Sequence, residues 1–238
     1  MIGRVHSFET LGALDGPGIR CVVFLQGCPL RCLYCQNPDT WNPAGGTEMS
    51  VRDVVRRIDK CATYFGRTGG VTLSGGEPLL QPEFAAEIFR ESRKLRIHTA
   101  LDTSGAVDVD ERTERLLEVT DLVILDIKHS NPSRHMALTG RSLDAPLRFL
   151  DAVCQRNIPL WVRQVVVPGW NDTEADASSL AQLLRGRKSL EKVELLPYHE
   201  MARQKWRGLG MTYPLENTPA PDDETMRRLE SIVDAAVA

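Results

Sequence analysis

Residues 20–25, Arg-Cys-Val-Val-Phe-Leu, run through Gln26-Gly27 into Cys28-Pro29-Leu30-Arg31-Cys32-Leu33-Tyr34-Cys35. A short β-branched and aromatic run closed by a glycine reads as a buried strand, and three thiols follow on the loop at its C-terminal end. Five later runs share the strand character, at residues 71–74, 97–102, 122–126, 160–167 and 192–196. Helical stripes lie among and after them. Val51, Val54, Val55, Ile58 and Ala62 recur at helical spacing with Ser50 placed to cap. Leu147, Leu150 and Cys154 do the same, as do Ala177, Leu180, Ala181 and Leu184 after Asn171-Asp172-Thr173. Met226, Leu229, Ile232 and Val233 mark a final helix. Strand alternating with helix implies an α/β protein with a parallel sheet. Six units are too few for an eight-unit barrel, so the expected architecture is an open, partial (β/α)6 TIM-like barrel with parallel strands. A doubly wound sheet remains the alternative, because spacing alone does not separate them. Both place ligands beyond the C-terminal ends of the strands.

The 238 residues suit one domain spanning 1–238, with apolar residues at 42% and charged residues at 26% giving an ordinary globular balance. Net charge is −3 and no long basic run occurs, which argues against a sequence-independent grip on nucleic acid. No apolar run is long enough for a bilayer, and no basic-then-apolar leader opens the sequence. The expectation is a cytoplasmic protein without membrane or nucleic-acid partners, whose six cysteines are ligands or buried thiols.

Three thiols within eight residues of loop suit one soft metal centre: an iron–sulfur cluster, zinc or copper(I). Structural zinc takes four closed ligands, commonly from paired Cys-x2-Cys units, and Cys21, Cys61 and Cys154 are scattered along the chain. A four-iron cluster on three cysteines leaves one iron open for substrate. Zinc remains the competing reading of the residues themselves.

The Cys-x3-Cys-x2-Cys spacing, with Tyr34 before the last cysteine, resembles the cluster motif of the radical S-adenosylmethionine superfamily. The resemblance implies a [4Fe–4S] cluster held by Cys28, Cys32 and Cys35. Its open iron chelates S-adenosylmethionine, and one-electron cleavage yields a hydrogen-abstracting 5′-deoxyadenosyl radical. Ser74-Gly75-Gly76-Glu77-Pro78, after the second run, is similar to the superfamily's motif for the methionine amino group. Asp102-Thr103 and Asp126-Ile127-Lys128 end the third and fourth runs. Two carboxylates and an ammonium at one face suit a zwitterionic, cationic ligand: carboxylates for its amino and sulfonium side, Lys128 for its carboxylate. Val165 to Asp172 ends the fifth run with an apolar edge for adenine, and His199 follows the sixth.

Closer resemblance is to the pyruvate formate-lyase activating enzymes, glycyl-radical activases. It rests on residues 3–9 (GRVHSFE), 15–20 (DGPGIR), 101–105 (LDTSG), 120–123 (TDLV), 166–170 (VVPGW) and 195–200 (LLPYHE). That family removes a hydrogen from one backbone glycine of a partner enzyme. Carried over residue by residue, the resemblance implies that Tyr34, Gln36, Gly76, Asp102, Asp126, Lys128 and His199 contact S-adenosylmethionine. It further implies a monovalent-cation site at Asp102, Thr103 and Asp126, and a catalytic role for Asp15 in holding the partner's glycine loop. The partner is a glycyl-radical enzyme, pyruvate formate-lyase, and the electron donor is flavodoxin or a similar carrier. Two departures stand out. Gln36 occupies a position where the family pattern has histidine. Between Cys35 and Gly75 only Cys61 occurs, so the extra clusters of insert-bearing sister activases are not expected. Competing functions are a radical enzyme acting on another glycyl-radical enzyme or a small molecule, a zinc-stabilised binding module, and an electron carrier.

Overall fold

Residue alternation along the central strands decides which way the sheet faces. A computed structural model describes residues 1–237. Its strands are β1 (Ile2–Gly12), β2 (Arg20–Leu25), β3 (Thr47–Ser50), β4 (Gly70–Gly75), β5 (His98–Thr103), β6 (Leu122–Asp126), β7 (Leu160–Val166) and β8 (Leu190–Pro197). Cys21, Val23, Leu25, Val71, Leu73, Leu101, Val123, Leu125, Val162 and Val166 belong to one buried cluster shared with the helices. The alternate residues face the other way. Ala100, Leu122 and Ile124 form a small apolar cluster of their own, while Ser74, Asp102, Asp126 and Arg163 line a cavity. One face therefore builds the core and the other carries polar chemistry.

The strands form one sheet in the order β3-β1-β2-β4-β5-β6-β7-β8. From β2 to β8 every neighbouring pair is parallel. Among these parallel strands each adds on the same side of the last, so their order never reverses. A doubly wound sheet reverses at a switch point. Successive right-handed crossovers instead put the helices on one face, which is the winding of an open, partial barrel. The six parallel strands are those read from the sequence, with ends shifted by a few residues.

Two strands are additional. β1 pairs antiparallel with β2, with register shifts after Val5 and Glu9, and β3 pairs antiparallel with β1. Both are half-exposed and polar, so they lack the continuous apolar run that marks a strand buried on both faces.

The helices are α1 (Val51–Lys60), α2 (Pro82–Lys94), α3 (Glu111–Leu117), α4 (Pro132–Thr139), α5 (Asp144–Gln155), α6 (Glu174–Leu184), α7 (Arg203–Gly208) and α8 (Asp223–Val237). Ser50 caps α1 by accepting the Asp53 N–H, and Thr173 with Asp176 forms a capping box on α6. α4 has a further task. Its terminal carbonyls accept from the cysteine loop, Arg31 N to Thr139 O at 2.8 Å and Leu33 N to Leu138 O at 3.0 Å. On the other flank Trp206 of α7 donates from Nε1 to the Cys35 carbonyl at 2.9 Å. Tyr34, Leu138, Val167, Tyr198, Trp206, Tyr213 and Leu215 pack together there as a second apolar cluster. The loop that carries the thiols is thus fixed from two sides. No helix among the described residues is long and apolar enough to cross a membrane.

Candidate active site

A cavity of about 320 Å³ opens on the concave face of the sheet, and every candidate residue from the sequence lines it. The loop after β2 contributes Cys28, Cys32, Tyr34, Cys35 and Gln36. Gly76 follows β4, Asp102 and Thr103 end β5, Asp126 ends β6 with Lys128 two residues on, and His199 follows β8. Val165 from β7 adds an apolar wall.

Burial raises all three thiol pKa values, taking Cys28 and Cys32 up to about 12. Glu77 adds to the effect at Cys28, while the Lys128 ammonium opposes it at Cys32. Bare, these sulfurs stay protonated; a bound cationic centre inverts that preference and makes thiolates of them. No three His, Cys, Asp or Glu side chains among the described residues converge to hold a single metal ion. All three thiols line the one cavity, and a loop that brings three thiols to one wall would suit an iron–sulfur cluster. Cys21 and Cys61, far apart in sequence, meet: burial, then Cys61, pushes the Cys21 thiol up to about 12. Neither lines the cavity, so neither adds a fourth ligand there.

Charge is arranged across the strand ends. Ser74 Oγ donates to Asp102 Oδ2 at 2.6 Å, while the buried Oδ1 has no hydrogen-bond partner. Arg163 lies 3.9 Å from that oxygen. Burial pushes the Asp102 carboxyl up to about 6, against the pull of Arg163. Lys128 Nζ donates to Asp126 Oδ2 at 2.7 Å and stands 5.8 Å from the centre of the Tyr34 ring. Burial works against the Lys128 ammonium, but Asp126, Tyr34 and Cys32 outweigh it and hold its pKa well above the ordinary value. An unpartnered carboxylate oxygen and a buried ammonium thus face one cavity, which is how a zwitterion is held.

A family model described as the radical SAM superfamily matches residues 22–180. The pyruvate formate-lyase 1-activating enzyme of Escherichia coli is 45% identical over 236 residues, covering 98% of this chain and 96% of that one. The chain belongs to the pyruvate formate-lyase activating enzyme family of the radical SAM superfamily. The pyruvate formate-lyase-activating enzyme of Clostridium pasteurianum is 44% identical, over 97% of this chain and 96% of that one. The crystal structure of Streptococcus suis SuiB bound to precursor peptide SuiA superimposes with a TM-score of 0.70 at 16% identity. It covers 93% of this chain and 46% of that one, and it shows the fold alone.

Radical SAM enzymes of this family use a [4Fe–4S] cluster and S-adenosylmethionine, and the residues present fit both. Three thiols from one anchored loop suit the cluster. The unpartnered Asp102 oxygen and the Lys128 ammonium suit the amino and carboxylate ends of the nucleoside. Gln36 is engaged on backbone, donating to the carbonyls of Tyr34 at 3.3 Å and His199 at 3.1 Å. It ties the cysteine loop to the segment after β8. The Thr103 hydroxyl is also engaged, donating to Glu77 Oε1 at 2.5 Å and accepting from Gly105 N at 3.0 Å.

Asp15 reaches the cavity by a different route from the strand-end residues. The turn between β1 and β2 lies across the concave face, where Thr72 Oγ1 donates to the Asp15 carbonyl at 2.6 Å and Arg163 donates to the Leu14 carbonyl at 2.8 Å. Burial raises the Asp15 carboxyl, with Arg163 and Arg20 opposing.

Two residues important to the geometry carried no assignment from sequence. Arg163 sits mid-strand in β7 and contacts Asp102, the Leu14 carbonyl and Glu194, the last at 3.3 Å. A charged residue inside an otherwise apolar strand was its signal. Buried Glu77 accepts from Thr103 Oγ1, Leu79 N, Ser104 N and Ser104 Oγ, clamping the end of β4 to the end of β5.

Gly76 is required by backbone packing. A Cβ there would stand 2.1 Å from the Gly27 carbonyl oxygen. The glycine lets the end of β4 touch the start of the cysteine loop, where Glu77 N donates to Gly27 O at 2.8 Å. Gly76→Ala is expected to destabilise the apoprotein by about 1–3 kcal/mol, the usual cost of overpacking. Thermal unfolding checks it, with Gly208→Ala as control, since a Cβ on Gly208 meets nothing within 4 Å. Equal melting temperatures for the two variants would contradict the packing argument.

Proposed function

We propose that this chain activates pyruvate formate-lyase by removing a hydrogen atom from one backbone glycine of that partner. What carries the reading is the convergence of three thiols, the Asp102–Asp126–Lys128 charge set and Asp15 on one cavity, in a chain 45% identical to the Escherichia coli activating enzyme. When bound, the cluster and S-adenosylmethionine supply one-electron bond cleavage and hydrogen abstraction. The chain's residues do the rest. Cys28, Cys32 and Cys35 hold the cluster. Lys128 pairs with the methionine carboxylate, and Asp102 and Asp126 face the amino and sulfonium side. The backbone at Gly76 borders the methionine, while Tyr34, Gln36 and His199 border the adenosine. A monovalent cation would take Asp102 and Asp126 as its carboxylates beside Thr103. Phe24, Val165 and Leu196 line the same cavity and limit water. The domain spans residues 1–238, the setting is the cytoplasm, and the donor is a reduced flavodoxin or similar carrier.

The test is anaerobic mixing of reconstituted protein, S-adenosylmethionine, photoreduced 5-deazariboflavin and pyruvate formate-lyase. Electron paramagnetic resonance should show a glycyl signal on the partner. A signal acquired only by a different glycyl-radical enzyme would reassign the partner. Zinc without iron and sulfide in the purified protein would overturn the reading.

Asp15 is assigned to holding the glycine loop. Misplacement by about 1 Å can cost on the order of 100-fold in rate. Asp15→Asn keeps shape and removes charge, so it should slow glycyl-radical formation by up to about 100-fold while cluster content and S-adenosylmethionine affinity stay unchanged. Parallel loss of affinity and activation would instead place Asp15 against the nucleoside.

A further inference from the structure

The cysteine loop meets solvent through Arg31. Leu30, Cys32 and Tyr34 are buried, whereas Arg31 is exposed. Its guanidinium donates to the carbonyls of Cys28 at 2.9 Å and Leu30 at 2.7 Å, and it lies over the Trp41 ring at 4.8 Å. Arg141, just beyond α4, is also exposed and donates from Nε to the Pro29 carbonyl at 3.2 Å. Two guanidiniums are therefore pinned on Cys28, Pro29 and Leu30, inside the stretch from the first thiol to the second. Their polar contacts are to carbonyls. Arg203 and Arg207 of α7, by contrast, pair with Glu200 and Glu216. Among the described residues neither Arg31 nor Arg141 faces a carboxylate, so two positive charges stand on or against the backbone of the thiol loop.

We propose that the Arg31–Arg141 face is the docking surface for an acidic one-electron carrier protein. The inference rests on the proposed function, which requires a cluster on this loop to be reduced. One electron passes from carrier to cluster at each encounter; the carrier is oxidised by one electron and no atom is transferred. Electron transfer favours close approach, and the guanidiniums bond directly to the backbone of the ligating loop. Opposite charge on the carrier raises the encounter rate and orients it, an effect that salt screens. Fixing both cations on backbone carbonyls holds them in place before docking.

The experiment measures S-adenosylmethionine cleavage by reconstituted wild-type protein, Arg31→Glu/Arg141→Glu and Arg31→Lys/Arg141→Lys. Each is driven either by reduced flavodoxin, an acidic protein, or by photoreduced 5-deazariboflavin, an uncharged small molecule. With flavodoxin at low salt the Glu variant should lose at least about tenfold in rate, and added salt should shrink the gap. The Lys variant should keep most of the wild-type rate. With deazariboflavin all three should agree within about twofold, at equal iron content. Equal loss with both reductants would show a role in shaping the loop and overturn the proposal, as would no loss with either. A raised KM for pyruvate formate-lyase under deazariboflavin would give the face to that partner instead. Failure of the underlying reading looks different: wild-type protein with deazariboflavin would cleave nothing.

Discussion

Cys32→Ala is expected to yield a folded protein that assembles no complete cluster and cleaves no S-adenosylmethionine. Cys32 is buried in the middle of a loop whose backbone is held by α4 on one side and Trp206 on the other. No spare thiol can take its place, because Cys21 and Cys61 pack against each other in the helix-facing core and Cys154 lies on α5. Loss of one of three protein ligands would leave two irons without thiolate. Alanine removes only a sulfur and its cavity cost is small beside the loss of the metal centre. Cys28→Ala and Cys35→Ala should behave alike. Cys21→Ala, Cys61→Ala and Cys154→Ala should keep iron, sulfide and cleavage, with some loss of stability at the two buried positions. Iron and sulfide analysis with a 5′-deoxyadenosine assay decides it, and normal cleavage by Cys32→Ala would refute the assignment.

Lys128→Ala is expected to weaken S-adenosylmethionine binding by about 2–5 kcal/mol, roughly 30-fold or more in Kd. The side chain is 14% exposed and bonded to Asp126 at 2.7 Å. Its removal strips the cavity of the ammonium that faces the ligand carboxylate. Asp126 is also left beside Asp102 with its nearest cation gone, and a carboxylate-rich pocket repels the carboxylate of an incoming ligand. Cluster assembly should survive, because Lys128 is not a ligand and the loop's anchors lie elsewhere. Equilibrium binding to the reconstituted protein measures the effect. An unchanged Kd would reduce Lys128 to a partner of Asp126 alone.

Much of this site was legible in one dimension. The strands at 20–25 and 122–126 match the structure at both ends, because strands buried on both faces need short, continuous apolar runs and that signal is local. Once the strands were read, the residues at their C-terminal ends followed, since parallel winding brings all those ends to one rim. The thiol loop, Asp102, Asp126, Lys128 and His199 were found that way. β1 and β3 were not, because half-exposed antiparallel strands leave no such run.

Local pattern determined the six parallel strands and which chemistry stands at the C-terminal end of each. Tertiary structure alone decided how those pieces meet. It chose sequential over reversing strand order. It brought Cys21 to Cys61 across forty residues of chain. It laid the Asp15 turn across the concave face under Arg163, and it closed Glu77 onto Thr103 and Ser104. The physical reason is the same in each case. Periodicity in a sequence reports that a side chain is buried, whereas the partner it is buried against is set by the packing of segments far apart along the chain.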